Sequence, residues 1–322
     1  MDHDILIKHR LVNIAQSIAL VTLLALLLAY LAYMIAGETL AWFSIIMVIV
    51  LFFSNPVITP KIILRMYNAR PINYAEAPEL FEIVGKLATR AGLITPPRLF
   101  YLPSHVVNAF TMGTRRDSVI ALSDGVLRKL SLEELAAIIA HEMTHVRHND
   151  IRVMTFADIA GRVTKSLSMV GQLLILINLP LILLTDTQLN WWPLLVLLFA
   201  PIVSDLIQLG LSRVREYEAD IGSAILMGDA RPLAAALAKV ENYSHNYFGG
   251  LFIPVRKIPE PSLLRTHPPT EERIRRLLAF HHHEHLQPLT HDLFTATSGY
   301  KPFVRKTQVP HQPRRHFNGF WY

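Results

Sequence analysis

The stretch SLEELAAIIAHEMTHVRHND, residues 131–150, sets two histidines four residues apart with a glutamate beside the first. Leu135, Ile138 and Ile139 recur at helical spacing. Ser131, with Glu134 three residues on, has the form of a capping box, so the segment predicts a helix that opens at Ser131. Positions i and i+4 of a helix share one face, a turn apart. His141 and His145 can then offer both imidazoles to a single ion, at the roughly 2.0–2.1 Å of a zinc–nitrogen bond. Glu142 is offset by one residue, beside such an ion rather than on it, which is where a general base works. The plainer reading is a buried polar cluster, since buried imidazoles and carboxylates need partners in any case.

A metal site needs a third protein ligand. His148 lies seven residues after His141 on the same face, a further turn along. The longer pattern H-E-x-x-H-x-x-G-x-x-H fails, because His148 and Ile151 stand at its glycine and third histidine. A better candidate is SRVREYEAD, residues 212–220, where Glu216 and Asp220 are again four apart. Glu216 would complete a two-histidine, one-glutamate set, and Asp220 would orient a ligating histidine from behind. Glu218 is turned about 200° from Glu216 on a helix and reads as a solvated side chain.

The chain around these motifs is apolar. Of its 322 residues 52% are hydrophobic and 17% charged, below the roughly 25% charge of an ordinary soluble domain. Four runs have about the length of a membrane-spanning helix: Leu11–Met34, Trp42–Ile58, Ser166–Leu184 and Trp191–Leu211. The later two carry Gln172, Asn178, Pro180 and Asp205, so buried core helices or re-entrant segments are the alternative for that pair. All 31 basic residues lie in the first ten positions, between Lys61 and Lys165, or from Arg213 onward. None falls in the connectors 37–41 and 186–190. The bias of basic residues toward the cytoplasmic side then places the amino terminus and both blocks with motifs there, in a multi-pass protein of the cell's inner (plasma) membrane. The first run is too long for a cleavable signal. With no cysteine, disulfides, thiolate ligands and cysteine nucleophiles are excluded. The net charge of +6 fits anionic lipid headgroups, and nothing beyond charge points to nucleic acid.

The expected fold is mainly α with a small β-sheet, in five parts. Residues 1–58 hold two transmembrane helices, 59–165 a cytoplasmic block with HEMTH, 166–212 a second hydrophobic pair, 213–280 a second catalytic block, and 281–322 a His-rich tail. Within the first block, 77–91 has helical spacing, and PRLFYLP, VVNAFTMG and SVIALSDG read as short strands. Beyond 213, helices are expected around REYEADIGSAILM, over 232–241, and after THPPT with Ile274, Leu277 and Leu278 on its apolar face.

HEMTH, SRVREYEAD and THPPTEERI, in that order and with a hydrophobic pair between the first two, resemble the HtpX-like membrane zinc metalloproteases, relatives of the CAAX prenyl endopeptidases. The resemblance covers roughly residues 1 to 280. It implies a zincin-type catalytic domain with about four transmembrane helices, one zinc ion, and endopeptidase activity at the cytoplasmic face. Membrane-protein or unfolded polypeptide substrates, as in quality control, follow from it. It further implies that His141, His145 and Glu216 bind zinc and that Glu142 is the base. Asn108 and Ala109, in VNAF, would offer backbone groups to an extended substrate. His267 would donate to an oxyanion or close over the metal in a resting state.

Two rival readings belong to other classes. A metal-ion transporter or sensor would use HHHEH at 281–285 as a loading site. Against it, the apolar runs hold almost no ionisable residue besides Asp205. A zinc-binding membrane scaffold would have no need of Glu142. The HHHEH cluster reads as a solvated, weakly metal-binding tail.

Overall fold

In a computed structural model of the chain, residues 3–54, 60–184, 191–248 and 268–281 are described. The chain divides into two units. One comprises Val57–Ile151 with Arg215–Tyr322, the other Asp2–Pro56 with Arg152–Val214.

The first unit is built on a four-stranded mixed sheet of order β1-β2-β4-β3. Its strands are β1 (Arg70–Pro71), β2 (Arg98–Leu102), β3 (Ala109–Gly113) and β4 (Ser118–Ser123). The three longer strands lie where their alternating or apolar runs placed them. Strands β2 and β4 are parallel, while β3 pairs antiparallel with β4. One sheet face, through Leu99, Tyr101, Ile120 and Leu122, packs on α3 (Pro78–Ala91) and α5 (Leu132–His148). The other face, through Leu102, Phe110, Met112, Val119 and Ala121, is covered by Leu64 of α2 (Pro60–Met66). The short α4 (Asp124–Lys129) follows β4, and α8 (Arg231–Phe248) and α9 (Thr270–His281) complete the unit.

Helix α9 corrects one expectation. Leu277 is buried, but Leu278 is exposed and Arg273 takes its place on the inward face. An inward guanidinium is tolerated only if it is paired, and its partners turn out to be the acids of the site.

The second unit contains α1 (His3–Ser54), most of α6 (Asp150–Leu184) and the first part of α7 (Trp191–Met227). Helix α1 is interrupted at Ala36 and Gly37, where Gly37 takes φ +73°, a conformation that favours a residue without Cβ. The break falls at the start of the expected connector 37–41. Leu24, Phe156, Ala157, Ala160, Ile207 and Leu211 form a core, with Phe52 and Phe156 edge to face at 5.6 Å. One of the polar residues that made the later apolar runs doubtful, Gln172, has a structural use. Pro201 lacks an N–H, so the carbonyl of Leu197 has no helical partner. Ser168 and Gln172 of α6 donate to that carbonyl instead, Gln172 at 3.2 Å. Internal satisfaction of a freed backbone group is what a helix in lipid requires.

Large apolar side chains stay exposed along this unit, among them Leu26, Trp42, Phe43, Leu176, Trp191 and Leu198. An exterior of that kind marks a surface that does not face water. Among the described residues two helices are long and apolar enough to cross a membrane, Leu11–Phe52 and Trp191–Met227. That is a coarser result than four spans. The 42-residue candidate Leu11–Phe52 contains the break at Gly37. The third run lies on α6, and the connector 186–190 is outside the described residues.

Candidate metal centre

Helix α5 begins as its sequence predicts. Ser131 Oγ accepts from Glu134 N at 3.3 Å, and Glu134 Oε2 accepts from Ser131 N at 2.8 Å. It ends at Asn149, whose φ of 57° is the left-handed cap that asparagine tolerates well. Asp150 follows that cap directly, at the start of α6, within reach of the last turn of α5. There His145 Nδ1 donates to Asp150 Oδ2 at 2.9 Å.

Small residues bring α7 against α5. Ser223 Oγ donates to the carbonyl of Ala137 at 2.7 Å, and Ala219 and Ala224 are fully buried. A Cβ at position 222 would collide with the Thr144 side chain, so Gly222 sets the closeness of the two helices. This contact carries Glu216 and Asp220, one turn apart, to the histidine face of α5.

Nε2 of His141 and Nε2 of His145 stand 3.2 Å apart. Glu216 places Oε2 3.5 Å from the first and Oε1 3.6 Å from the second. Taking one donor atom from each residue, the three lie within 4.8 Å of one another. Donors held tetrahedrally at zinc distances would be about 3.3–3.4 Å apart, so the spacing suits such an ion. The tautomers agree. His145 gives its Nδ1 hydrogen to Asp150, leaving the Nε2 lone pair directed at His141. Asp220 Oδ1 stands 3.1 Å from His141 Nδ1, close enough for the same role though not aligned as a hydrogen bond. Two imine nitrogens facing each other at this distance repel unless a proton or a metal ion lies between them.

Charge gives the same answer. Glu142, Asp150, Glu216 and Asp220 face two guanidinium groups, Arg215 and Arg273, which leaves two negative charges beside neutral imidazoles. Burial works against protonated His141, but Asp220 and Glu216 outweigh it and push its pKa up to about 10. For His145 burial is likewise outweighed, mainly by Asp150, and its pKa is raised. Burial would raise the Asp220 carboxyl, yet Arg273 and His141 hold it below the ordinary value. The pocket therefore attracts positive charge strongly, and a divalent cation meets that demand.

Arg273 closes the site from α9. Its Nε and Nη2 donate to the two Asp220 oxygens at 2.8 and 2.6 Å, and Nη1 is 3.1 Å from Glu216 Oε2. Sequence reasoning expected structural salt bridges from Arg273 but did not place them at the site. It also missed Asp150, held between His145 and Arg215 Nη1 at 3.0 Å. The available signal for Asp150 was an acid placed directly after a helix-ending asparagine. Arg273 offered only its position on an otherwise apolar helix face.

The remaining sequence candidates fall as follows. Glu142, next to His141 on α5, is partly exposed and contributes to the field at Arg273. His148 does not join the cluster. Its Nδ1 lies 3.5 Å from Glu218 Oε2, and Glu218 is buried, not solvated. His267 lies outside the described residues. Asn108 cannot offer its backbone to a substrate strand, because Asn108 N donates to Ser123 Oγ at 2.9 Å and Asn108 O accepts from Ser123 N at 3.0 Å. At the far end of β3, Thr114 N donates to Asp117 O at 2.9 Å. Antiparallel pairing alternates, so even-numbered residues of this strand face β4, and Ala109 and Thr111 turn their N–H and C=O to the other side. Among the described residues no strand pairs with that side.

Comparison with known proteins agrees with the site. Residues 74–281 match the model of peptidase family M48. A protease HtpX homolog from Syntrophotalea carbinolica is 35% identical over 276 residues, 82% of this chain and 98% of the relative. One from Thermococcus sibiricus is 34% identical over 264 residues, 78% of this chain and 90% of the relative. The crystal structure of S. mikatae Ste24p is similar over 84% of this chain and 66% of its own, with 19% identity and a TM-score of 0.45. A helix bearing two facing imidazoles, a carboxylate delivered from a second apolar helix, and sequence relatives matched along nearly their whole length identify the chain as a member of peptidase family M48, a family of metallopeptidases.

Proposed function

We propose that the chain is a zinc-dependent endopeptidase of the inner membrane that cleaves membrane or misfolded proteins at the cytoplasmic face. The observation that carries this reading is the donor set: two imidazoles 3.2 Å apart, each backed by a carboxylate, with Glu216 completing the set. In this reading the chain crosses four times, once on each side of Gly37 in α1 and once each on α6 and α7. Lys and Arg avoid the connectors 37–41 and 186–190, which suits a cytoplasmic position for both motif-bearing blocks.

His141, His145 and Glu216 would hold the ion, which when bound polarises the scissile carbonyl and acidifies water. Glu142 takes the proton from the attacking water and passes it to the leaving amine. Asp150 and Asp220 keep each imidazole with Nδ1 protonated and Nε2 free. Arg273 holds Glu216 and Asp220 in register. An extended substrate adds to the open edge of β3, hydrogen-bonding to Ala109 and Thr111, and His267 donates to the developing oxyanion.

The test is hydrolysis of a membrane-protein substrate by zinc-loaded protein beside the Glu142→Gln variant. The variant is expected to keep stoichiometric zinc and the parent's thermal unfolding while losing at least about 100-fold in rate, the lower range for a missing acid–base group. Parental hydrolysis by Glu142→Gln would remove the assignment of the base.

A further inference from the structure

We propose that the outward face of α2 docks on the anionic surface of the membrane that holds α1, and so fixes the sheet against the lipid. The inference rests on the reading of α1 as membrane-spanning. Helix α2 divides sharply by side. Leu64 is buried, and Ile63 and Tyr67 pack with it against the sheet face formed by Phe110, Met112 and Val119. The opposite side carries Ile62 and Met66, 56% and 42% exposed and four residues apart, flanked by exposed Lys61 and Arg65. An apolar row beside a basic row is the pattern that enters the headgroup–acyl boundary while its cations meet anionic headgroups.

The chain itself says what covers this face. Helix α1 ends at Ser54 and α2 begins at Pro60. Six Cα-to-Cα steps reach no more than about 22 Å even fully extended, so α2 cannot leave the neighbourhood of the bilayer surface once α1 is inserted. The local concentration of lipid is then high enough for a single turn of apolar contact to count. Ile62 and Met66 at the end of a transmembrane segment would otherwise stand in water beside the lipid that can cover them.

The docking bears on substrate. Tyr67, just past α2, lies 5.8 Å from the Phe110 ring of β3, centroid to centroid. The strand proposed to receive substrate is thus packed against the helix that touches lipid. A polypeptide emerging from the membrane would meet the open edge of β3 at a fixed height, an advantage that a soluble peptide would not share.

The chain has no cysteine, so single labels report without background. Ile62→Cys, Met66→Cys, Leu26→Cys and Ile94→Cys are each labelled with an environment-sensitive fluorophore in the full-length protein. The proteins are reconstituted in vesicles of phosphatidylglycerol and phosphatidylethanolamine with brominated acyl chains. Leu26, exposed on α1, must be quenched if that helix is in the membrane at all. Without that quenching the membrane reading itself fails. With Leu26 quenched, the expected result is quenching at 62 and 66 by bromines near the headgroup, little at 94, and at least a twofold loss of the effect at 62 when Lys61 and Arg65 are both changed to Gln. Labels at 62 and 66 open to aqueous iodide would overturn the proposal, as would labels shielded from both quenchers, which would mean a protein or a second copy covers the face. Equal quenching at 94 would also overturn it, showing dye partitioning. As a functional readout, Ile62→Glu/Met66→Glu should raise KM for a membrane-protein substrate severalfold while leaving kcat and the KM for a soluble peptide unchanged. Equal effects on both substrates would count against the role assigned to the docking.

Discussion

Helices α5 and α7 make two histidine–carboxylate contacts within two turns of each other, and they differ in kind. At one, His141 and His145 converge on Glu216, with Asp150, Asp220, Arg215 and Arg273 arranged behind them. At the other, His148 meets Glu218 at 3.5 Å. Both glutamates are buried, so burial does not separate them. What separates them is that one carboxylate completes a set of three donors around a common point, while the other belongs to no such set among the described residues. A metal site is made by convergence of lone pairs and by the groups that fix their directions.

The most severe way to test this contrast is Glu216→Ala. It removes a donor and leaves two imidazoles that cannot hold the ion alone. Purified Glu216→Ala is expected to contain almost no zinc and to show no hydrolysis, as measured by elemental analysis and peptide assay. Stoichiometric zinc in this variant would move the ligand assignment elsewhere.

Arg273→Met comes next. It strips the buried acids Glu216 and Asp220 of their shared cation, and breaking a buried ion pair from one side costs about 3–5 kcal/mol. Metal-free Arg273→Met should therefore unfold at clearly lower denaturant than the metal-free parent, with part of the difference recovered on adding zinc. Identical denaturation midpoints for the two metal-free proteins would show that Arg273 does not hold the acids together.

Asp150→Asn and Asp220→Asn keep the shape but weaken the support of each imidazole. Zinc affinity is expected to fall about 10–100-fold in each, the range for groups that orient a ligand, and competition with a chelator reads it. The smallest effect belongs to Glu218→Gln. Its amide keeps the size of the carboxylate and can still approach His148, so the denaturation midpoint and the zinc content are both expected to stay near the parent's. Depletion of zinc in Glu218→Gln would join the two contacts into one site and undo the comparison.

Several parts of this protein could be read without coordinates because they obey local rules. The capping box at Ser131, the helical period through Ile138 and Ile139, and the i, i+4 spacing of His141 and His145 depend only on backbone geometry within a few residues. The three strands before them are likewise marked by short apolar runs between turn residues. Glu216 was accessible from the same spacing rule, applied a second time to Glu216 and Asp220, together with the resemblance. The errors came where a residue's surroundings lie far away in sequence. Glu218 looks solvated on its own helix, and only the arrival of α5 buries it. Leu278 looks like a core residue beside Leu277, but α9 turns Arg273 inward because Asp220 and Glu216 are waiting there. Asn108 seemed free to bind substrate until strand register gave its backbone to Ser123.

The sequence by itself determined the longer helices, the three longer strands, the histidine pair with its neighbouring glutamate, and the apolar runs, since each is set by periodicity over a few residues. The tertiary structure alone decided that Asp150 meets His145, that Gly222 lets α7 close on Thr144, and that Arg273 rather than a leucine faces the acids. The second and third depend on shapes and charges brought together across 78 and 53 residues, where burial forces every polar group to find a partner. No local pattern records which partner that will be.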